Sequence, residues 1–177
     1  PLIASNPKEG EIALCTLAAI NYGKLKKPSD IEKPMTILVR ALDALLDYQD
    51  YPVDAARYST MLRRPLGIGI INFAYWMAKN DMTYSNPNLE LIDEYMEAFS
   101  YYAIKASNDL AKEFGPCIGY QDTKYSLGIT PHMTSKIVQD DMLIDHIERL
   151  DWKRLREDLK EYGIRNSTLM ACMPAET

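Results

Sequence analysis

A chain of 177 residues with 47% hydrophobic and 25% charged residues has the composition of an ordinary globular domain, which argues against disorder and low complexity. Lys+Arg number 20 and Asp+Glu 25, so the net charge is −5; a nucleic-acid-binding module is not expected, because such modules carry a basic excess for phosphates. No run approaches the ~20 consecutive apolar residues of a membrane span, and Pro1-Leu2-Ile3-Ala4-Ser5-Asn6-Pro7 lacks the basic-then-apolar order of a secretory signal. The expectation is a chain without leader or anchor, and Pro1 in place of Met with Thr177 soon after an apolar run suggests cut ends. Cys15, Cys117 and Cys172 lie far apart, with only His132 and His146 as further soft ligands. That spacing predicts no zinc or other metal site, and the odd cysteine count predicts a reducing, cytoplasmic setting.

From Glu11 to Ile20 the chain is apolar with little charge, and periodicity alone leaves a buried strand and the start of a buried helix both open. Ile31, Met35, Leu38, Val39, Leu42, Leu45 and Leu46 recur at spacings of three and four, which predicts a helix. Ser29 with Glu32 reads as its capping box, with Pro34 as an alternative first-turn marker, and Pro52 ends it near Tyr48-Gln49-Asp50. After the basic Arg57, Arg63 and Arg64, Leu66-Gly67-Ile68-Gly69-Ile70-Ile71 alternates large and small residues like a strand, and Asn72 to Lys79 reads as a helix. Gly67 and Gly69 lack the third glycine of a dinucleotide fingerprint, so close packing is the expected use of this turn.

Asn86 and Pro87 read as the cap and first turn of the longest helix, whose apolar stripe runs from Leu89 to Phe114 before Gly115-Pro116. Cys117 to Thr134 reads as an irregular loop, and Lys136 to Leu150 as a weak, charged helix with His146 on its surface. Asp151 caps a last helix that buries Trp152, Leu155, Leu159 and Tyr162 and ends at Gly163, and Ile164 to Met173 reads as a buried strand leading to Pro174.

Few residues are arranged for chemistry. Asp43, Asp47 and Asp50 read as the solvated face of a helix, and neither histidine adjoins a nucleophile motif. The better candidates are the apolar runs holding Cys15 and Cys172 and the terminal Pro174-Ala175-Glu176-Thr177. A thiol facing a pocket serves redox chemistry, and a polar turn after a strand offers N–H groups and a hydroxyl to an anion.

Four stretches carry a resemblance: Gly10-Glu11-Ile12-Ala13-Leu14-Cys15-Thr16-Leu17, Arg40 to Pro52, Leu66 to Ala74, and Arg165-Asn166-Ser167-Thr168-Leu169. In order and at comparable spacing, they resemble the large subunit of class I ribonucleotide reductase over essentially the whole chain. The resemblance implies a segment of its ten-stranded α/β barrel, here mainly helical with a few short strands, with residues 1–177 forming one partial domain from the middle of that barrel. It also implies reduction of ribonucleoside diphosphates to deoxyribonucleoside diphosphates by radical chemistry, with a pair of cysteines delivering two electrons. Cys15 matches the second member of that pair, and Pro174, Ala175, Glu176 and Thr177 match the opening of the loop that holds the substrate diphosphate. Glu176 would act through its backbone, because its own charge repels the anion.

The radical cysteine's Asn-x-Cys-x-Glu motif, the first redox cysteine, the effector-specificity loops and the radical-relaying tyrosine pair are absent from these residues. The isolated chain is therefore expected to be inactive, and Cys117 and Cys172 to be structural. No cofactor is expected on this chain; the family's metal and radical cofactor belongs to the small subunit, and its ATP and dNTP effectors bind the large one. The implied partners are the remaining large-subunit segments, the small radical-generating subunit, thioredoxin or glutaredoxin, and a nucleoside diphosphate. Uncovered strand edges predict self-association. The alternative reading is a non-catalytic assembly fragment derived from that subunit.

Overall fold

A computed structural model describes residues 10–14, 16–134 and 148–172. Two short strands, β1 (Leu17–Asn21) and β2 (Gly67–Ile71), pair in parallel with Ala18 opposite Ile68 and Ile20 opposite Ile70. Parallel neighbours need a long crossover, and here it consists of two helices, α1 (Glu32–Tyr48) and α2 (Asp54–Arg63). After β2 come α3 (Phe73–Lys79), α4 (Leu89–Phe114) and α5 (Trp152–Tyr162), and the chain then returns beside β2. Met170 bridges Ile68 in parallel, so the spatial order is β1, β2, then the 168–171 segment.

Side chains alternate between the faces of a strand, and the two faces of this sheet have different surroundings. Ile20 and Ile68 belong to the buried core, with Ala18, Ile70 and Met170 packed partly against it. On the opposite face Leu17 and Ile71 are 49% and 42% exposed, and Gly67 and Gly69 contribute no side chain. The core's aromatic centre is Tyr22, fully buried, with Phe73, Trp76, Tyr95 and Phe99 around it at ring centroids of 6.2, 5.7, 5.9 and 6.3 Å. Edge-on and tilted rings suit the aromatic quadrupole, and the Tyr22 hydroxyl donates to the Tyr95 carbonyl at 3.2 Å.

The amphipathic stripes expected for α1 and α4 form: α1 buries Met35, Val39, Leu42 and Leu46, and α4, ~39 Å long at 1.5 Å per residue, packs against both α1 and α5. Several details differ from the sequence reading. The cap of α4 is Asn88, whose Oδ1 accepts from the Leu91 amide at 3.1 Å; Asn86 instead closes a turn on Thr83. Ser29 and Glu32 form no capping box. Asp30 accepts from the Lys26 and Lys27 amides (2.9 and 3.2 Å), Pro34 lies in the first turn of α1, and Glu32 reaches Lys105 at 3.5 Å. Leu45 is exposed, at the margin of the stripe, as is Tyr162 in α5. Residues 117–134 are more ordered than a loop, with three 3-10 turns that bury Tyr120 and Tyr125. Asp151 caps α5 as expected, accepting from the Arg154 amide at 3.0 Å. Most of the Lys136–Leu150 segment, with His146, lies outside the described residues.

Candidate functional site

All five site residues expected from sequence, Cys15, Pro174, Ala175, Glu176 and Thr177, lie outside the described residues. Their neighbours in the chain are described, and β2 stands between them. Alternate amides of a strand point to opposite sides. Leu66 accordingly donates to the Thr168 carbonyl at 2.9 Å while Gly67 donates to the carbonyl of Thr16, the residue after Cys15, at 2.8 Å. Ile68 continues the outer pairing, donating to Leu169 at 2.8 Å and accepting from Ala171 at 3.0 Å. The segment that leads to Pro174 and the strand that begins two residues after Cys15 thus flank the same central strand.

The stretch before Cys15 is fixed to α2. Ile12 donates its amide to the Ala55 carbonyl at 3.3 Å, and the buried Glu11 carboxylate meets the Arg63 guanidinium, Nη2 to Oε1 at 3.2 Å and Nη1 to Oε2 at 3.1 Å. Arg63 ends α2, and its carbonyl accepts from the Ser167 amide at 2.9 Å.

Next to it lies a buried polar nucleus. Arg64 adopts a left-handed conformation (φ 47°) that stops α2 and sends its side chain into the core. Its Nε donates to Asp43 Oδ1 at 2.7 Å, its Nη1 and Nη2 to the Asp47 carboxylate at 2.8 and 2.7 Å, and its Nη2 also to the Asp43 carbonyl at 2.8 Å. Asn166, fully buried, donates to Asp43 Oδ1 (2.9 Å) and the Arg64 carbonyl (3.0 Å), and accepts from the Ser107 hydroxyl at 2.8 Å. Arg165 adds a contact to Asp43 Oδ2 at 3.3 Å. Burial alone would lower the pKa of Arg64, but hydrogen bonds to Asp47 and Asp43 outweigh it and hold the guanidinium above its ordinary value. Hydrogen bonding to Arg64 in turn holds the Asp47 carboxyl below the usual carboxylate range. The solvated face expected at Asp43, Asp47 and Asp50 is therefore corrected at Asp43, which is 5% exposed, and at Asp47, which is engaged by Arg64; Asp50 is exposed. A signal was present: Asp43 stands four residues after Val39 and three before Leu46, on the apolar stripe itself.

The two described cysteines differ. Burial pushes the Cys117 thiol up to about 11, which leaves it a small hydrophobe at neutral pH, whereas Cys172 is exposed. Among the described residues no group of three or more His, Cys, Asp or Glu is arranged to hold a metal, and no helix is long and apolar enough to cross a membrane. A cavity of ≈690 Å³ opens beside Arg63, Lys124, Thr130, Ser167 and Thr168, lined mainly by hydroxyls.

A parallel sheet joined by helical crossovers, covered on one face and bare on the other, is the architecture of a segment of an α/β barrel. The sequence pattern of the ribonucleotide reductase barrel domain matches residues 3–177, and the chain belongs to that family. Among curated proteins it is 49% identical over 178 aligned residues to the ribonucleoside-diphosphate reductase subunit alpha of Haemophilus influenzae, covering 100% of this chain and 23% of that protein. It is 50% identical to the subunit alpha of Buchnera aphidicola from Acyrthosiphon pisum (96% of this chain, 22% of that one) and 44% identical to that of enterobacteria phage T4 (97% and 23%). The chain thus spans about a quarter of the length of the relatives it matches. The family read from the four sequence stretches is the family found, and the mainly helical character with two short strands agrees with a segment of its barrel.

Proposed function

We propose that this chain is the central part of the catalytic barrel of a ribonucleoside-diphosphate reductase large subunit, one partial domain over residues 1–177 that contributes to the active site from two strands. The observation that carries this reading is the shared central strand: Gly67 holds the residue after Cys15, and Leu66 and Ile68 hold the segment that leads to Pro174. Cys15 has the odd parity of Leu17 and Ala19, residues of the bare face, which is the face a barrel turns inward.

In this reading the Cys15 thiol and a second cysteine, supplied by another part of the subunit, reduce the ribose. Two thiols become one disulfide, the 2′-hydroxyl leaves as water, and hydrogen takes its place, so two electrons and two protons balance. The small subunit supplies the radical that starts the reaction. Pro174-Ala175-Glu176-Thr177 opens the diphosphate loop, with main-chain N–H groups and the Thr177 hydroxyl as donors. ATP and dNTP effectors act elsewhere on the large subunit, thioredoxin or glutaredoxin re-reduces the disulfide, and the assembly works in the cytoplasm.

The test combines this chain with the remaining large-subunit segments and the small subunit and measures nucleoside diphosphate reduction with a dithiol reductant. The complex is expected to turn over, each part alone to be inactive, and Cys15→Ser to abolish turnover. A Cys15→Ser complex that stays active with the dithiol overturns the role of Cys15.

A further inference from the structure

We propose that Arg63 is a positioning residue, which fixes the Cys15 strand against the strand leading to Pro174–Thr177; this assignment rests on the catalytic reading above. Arg63 is the one residue that makes both attachments: its guanidinium grips Glu11, four residues before Cys15, and its carbonyl accepts from Ser167, seven residues before Pro174. The grip on Glu11 is two-pronged and largely dry, with the carboxylate side chain 6% exposed and the guanidinium 30%. A carboxylate so far from water needs its cation, because neither charge is solvated if the other leaves. A planar fork also fixes direction as well as distance, which a single ammonium contact does not.

The surroundings make the device rigid. The 11–12 segment is held at both ends of α2, by Ala55 near its start and Arg63 at its finish. Directly after Arg63, the left-handed Arg64 is locked by Asp43, Asp47 and Asn166, so the Arg63 backbone cannot drift relative to the 165–168 segment. The chain then enters β2, whose first amides bind both flanking segments. Two pieces of one site that lie about 160 residues apart in the chain are thereby referred to one point.

The experiment reads the position of Cys15 rather than stability. In the 177-residue chain, the iodoacetamide alkylation rate of Cys15 is measured by peptide mass spectrometry, with exposed Cys172 as the reference and buried Cys117 as the monitor of global opening. Arg63→Met is expected to raise the Cys15 rate relative to Cys172 by about tenfold, with Cys117 still protected, because the segment opens locally. Arg63→Lys should fall between the two. The double variant Glu11→Gln/Arg63→Met removes the stranded charge, so its melting temperature should recover while the Cys15 rate stays high and turnover of the assembled enzyme stays on the order of tenfold or more below normal. Recovery of the Cys15 rate together with stability, or no change in Arg63→Met, overturns the proposal. Activity that survives Cys15→Ser would sink the catalytic reading and leave the alkylation result standing, so the two failures are distinguishable.

Discussion

On one face of the β1–β2 sheet, Ile20 and Ile68 are 5% and 0% exposed and share a core with Tyr22 and Trp76; on the other, Leu17 and Ile71 are 49% and 42% exposed. Both faces belong to the same short strands, so the difference arises from what the chain supplies to cover them. Helices α1 to α5 and the aromatic cluster cover one face, and no described element covers the other. The covered face behaves as a finished core, and the bare face as a surface intended for further parts of a barrel.

The comparison breaks most readily at its strongest point, the aromatic cluster. Trp76 is fully buried, stacked on Phe73 at 5.4 Å and tilted on Tyr95 at 4.8 Å. Trp76→Ala is expected to destabilise the chain by ~3–5 kcal/mol through lost transfer energy and a residual cavity. A denaturant titration checks it, and a loss below ~1 kcal/mol would mean that the covered face is not an autonomous core.

A smaller effect tests the polar nucleus on the covered side. The Asp47 carboxyl is held below its ordinary range by Arg64, so its ionised form is favoured in the folded state. A group whose folded pKa is depressed contributes stability at pH values above its unfolded value of about 4, and loses it as pH falls through the folded value. Thermal stability should therefore be level near neutrality and fall below about pH 4, with Asp47→Asn less stable at pH 7 and less steep in acid. An unchanged acid slope in Asp47→Asn assigns the loss to other carboxylates.

How much of this was legible in the sequence depends on whether one segment or two decide a feature. Periodicity located α1, α4 and α5, and the alternation of glycine with isoleucine located β2, because each signal sits within a single stretch. The roles of Asp43 and Arg165-Asn166 were not legible as a unit. Asp43 meets Asn166 across 123 residues and Arg64 across 21, and a single sequence does not show which distant residues meet. The Asn86 cap failed for a local reason: Asn88 is an equally good acceptor, and the Thr83–Asn86 turn shifts the helix start by two residues. The expected site residues came from the family resemblance, while the Glu11–Arg63 pair that holds their surroundings was visible only after folding.

The smallest effect on stability falls on the bare face, and there the informative readout is association. Leu17 and Ile71 already keep nearly half of their surface in water, so replacing them with threonine removes little buried area and retains branching suited to a strand. Leu17→Thr/Ile71→Thr should shift folding stability by less than ~1 kcal/mol per site. The same change removes the apolar groups that two copies of the free chain would bury against each other, so sedimentation at micromolar concentrations should show the parent self-associating and the double variant shifted toward monomer. A parent that sediments as a single monomeric species would show that this face tolerates water unaided, and would remove the contrast between the two sides of the sheet.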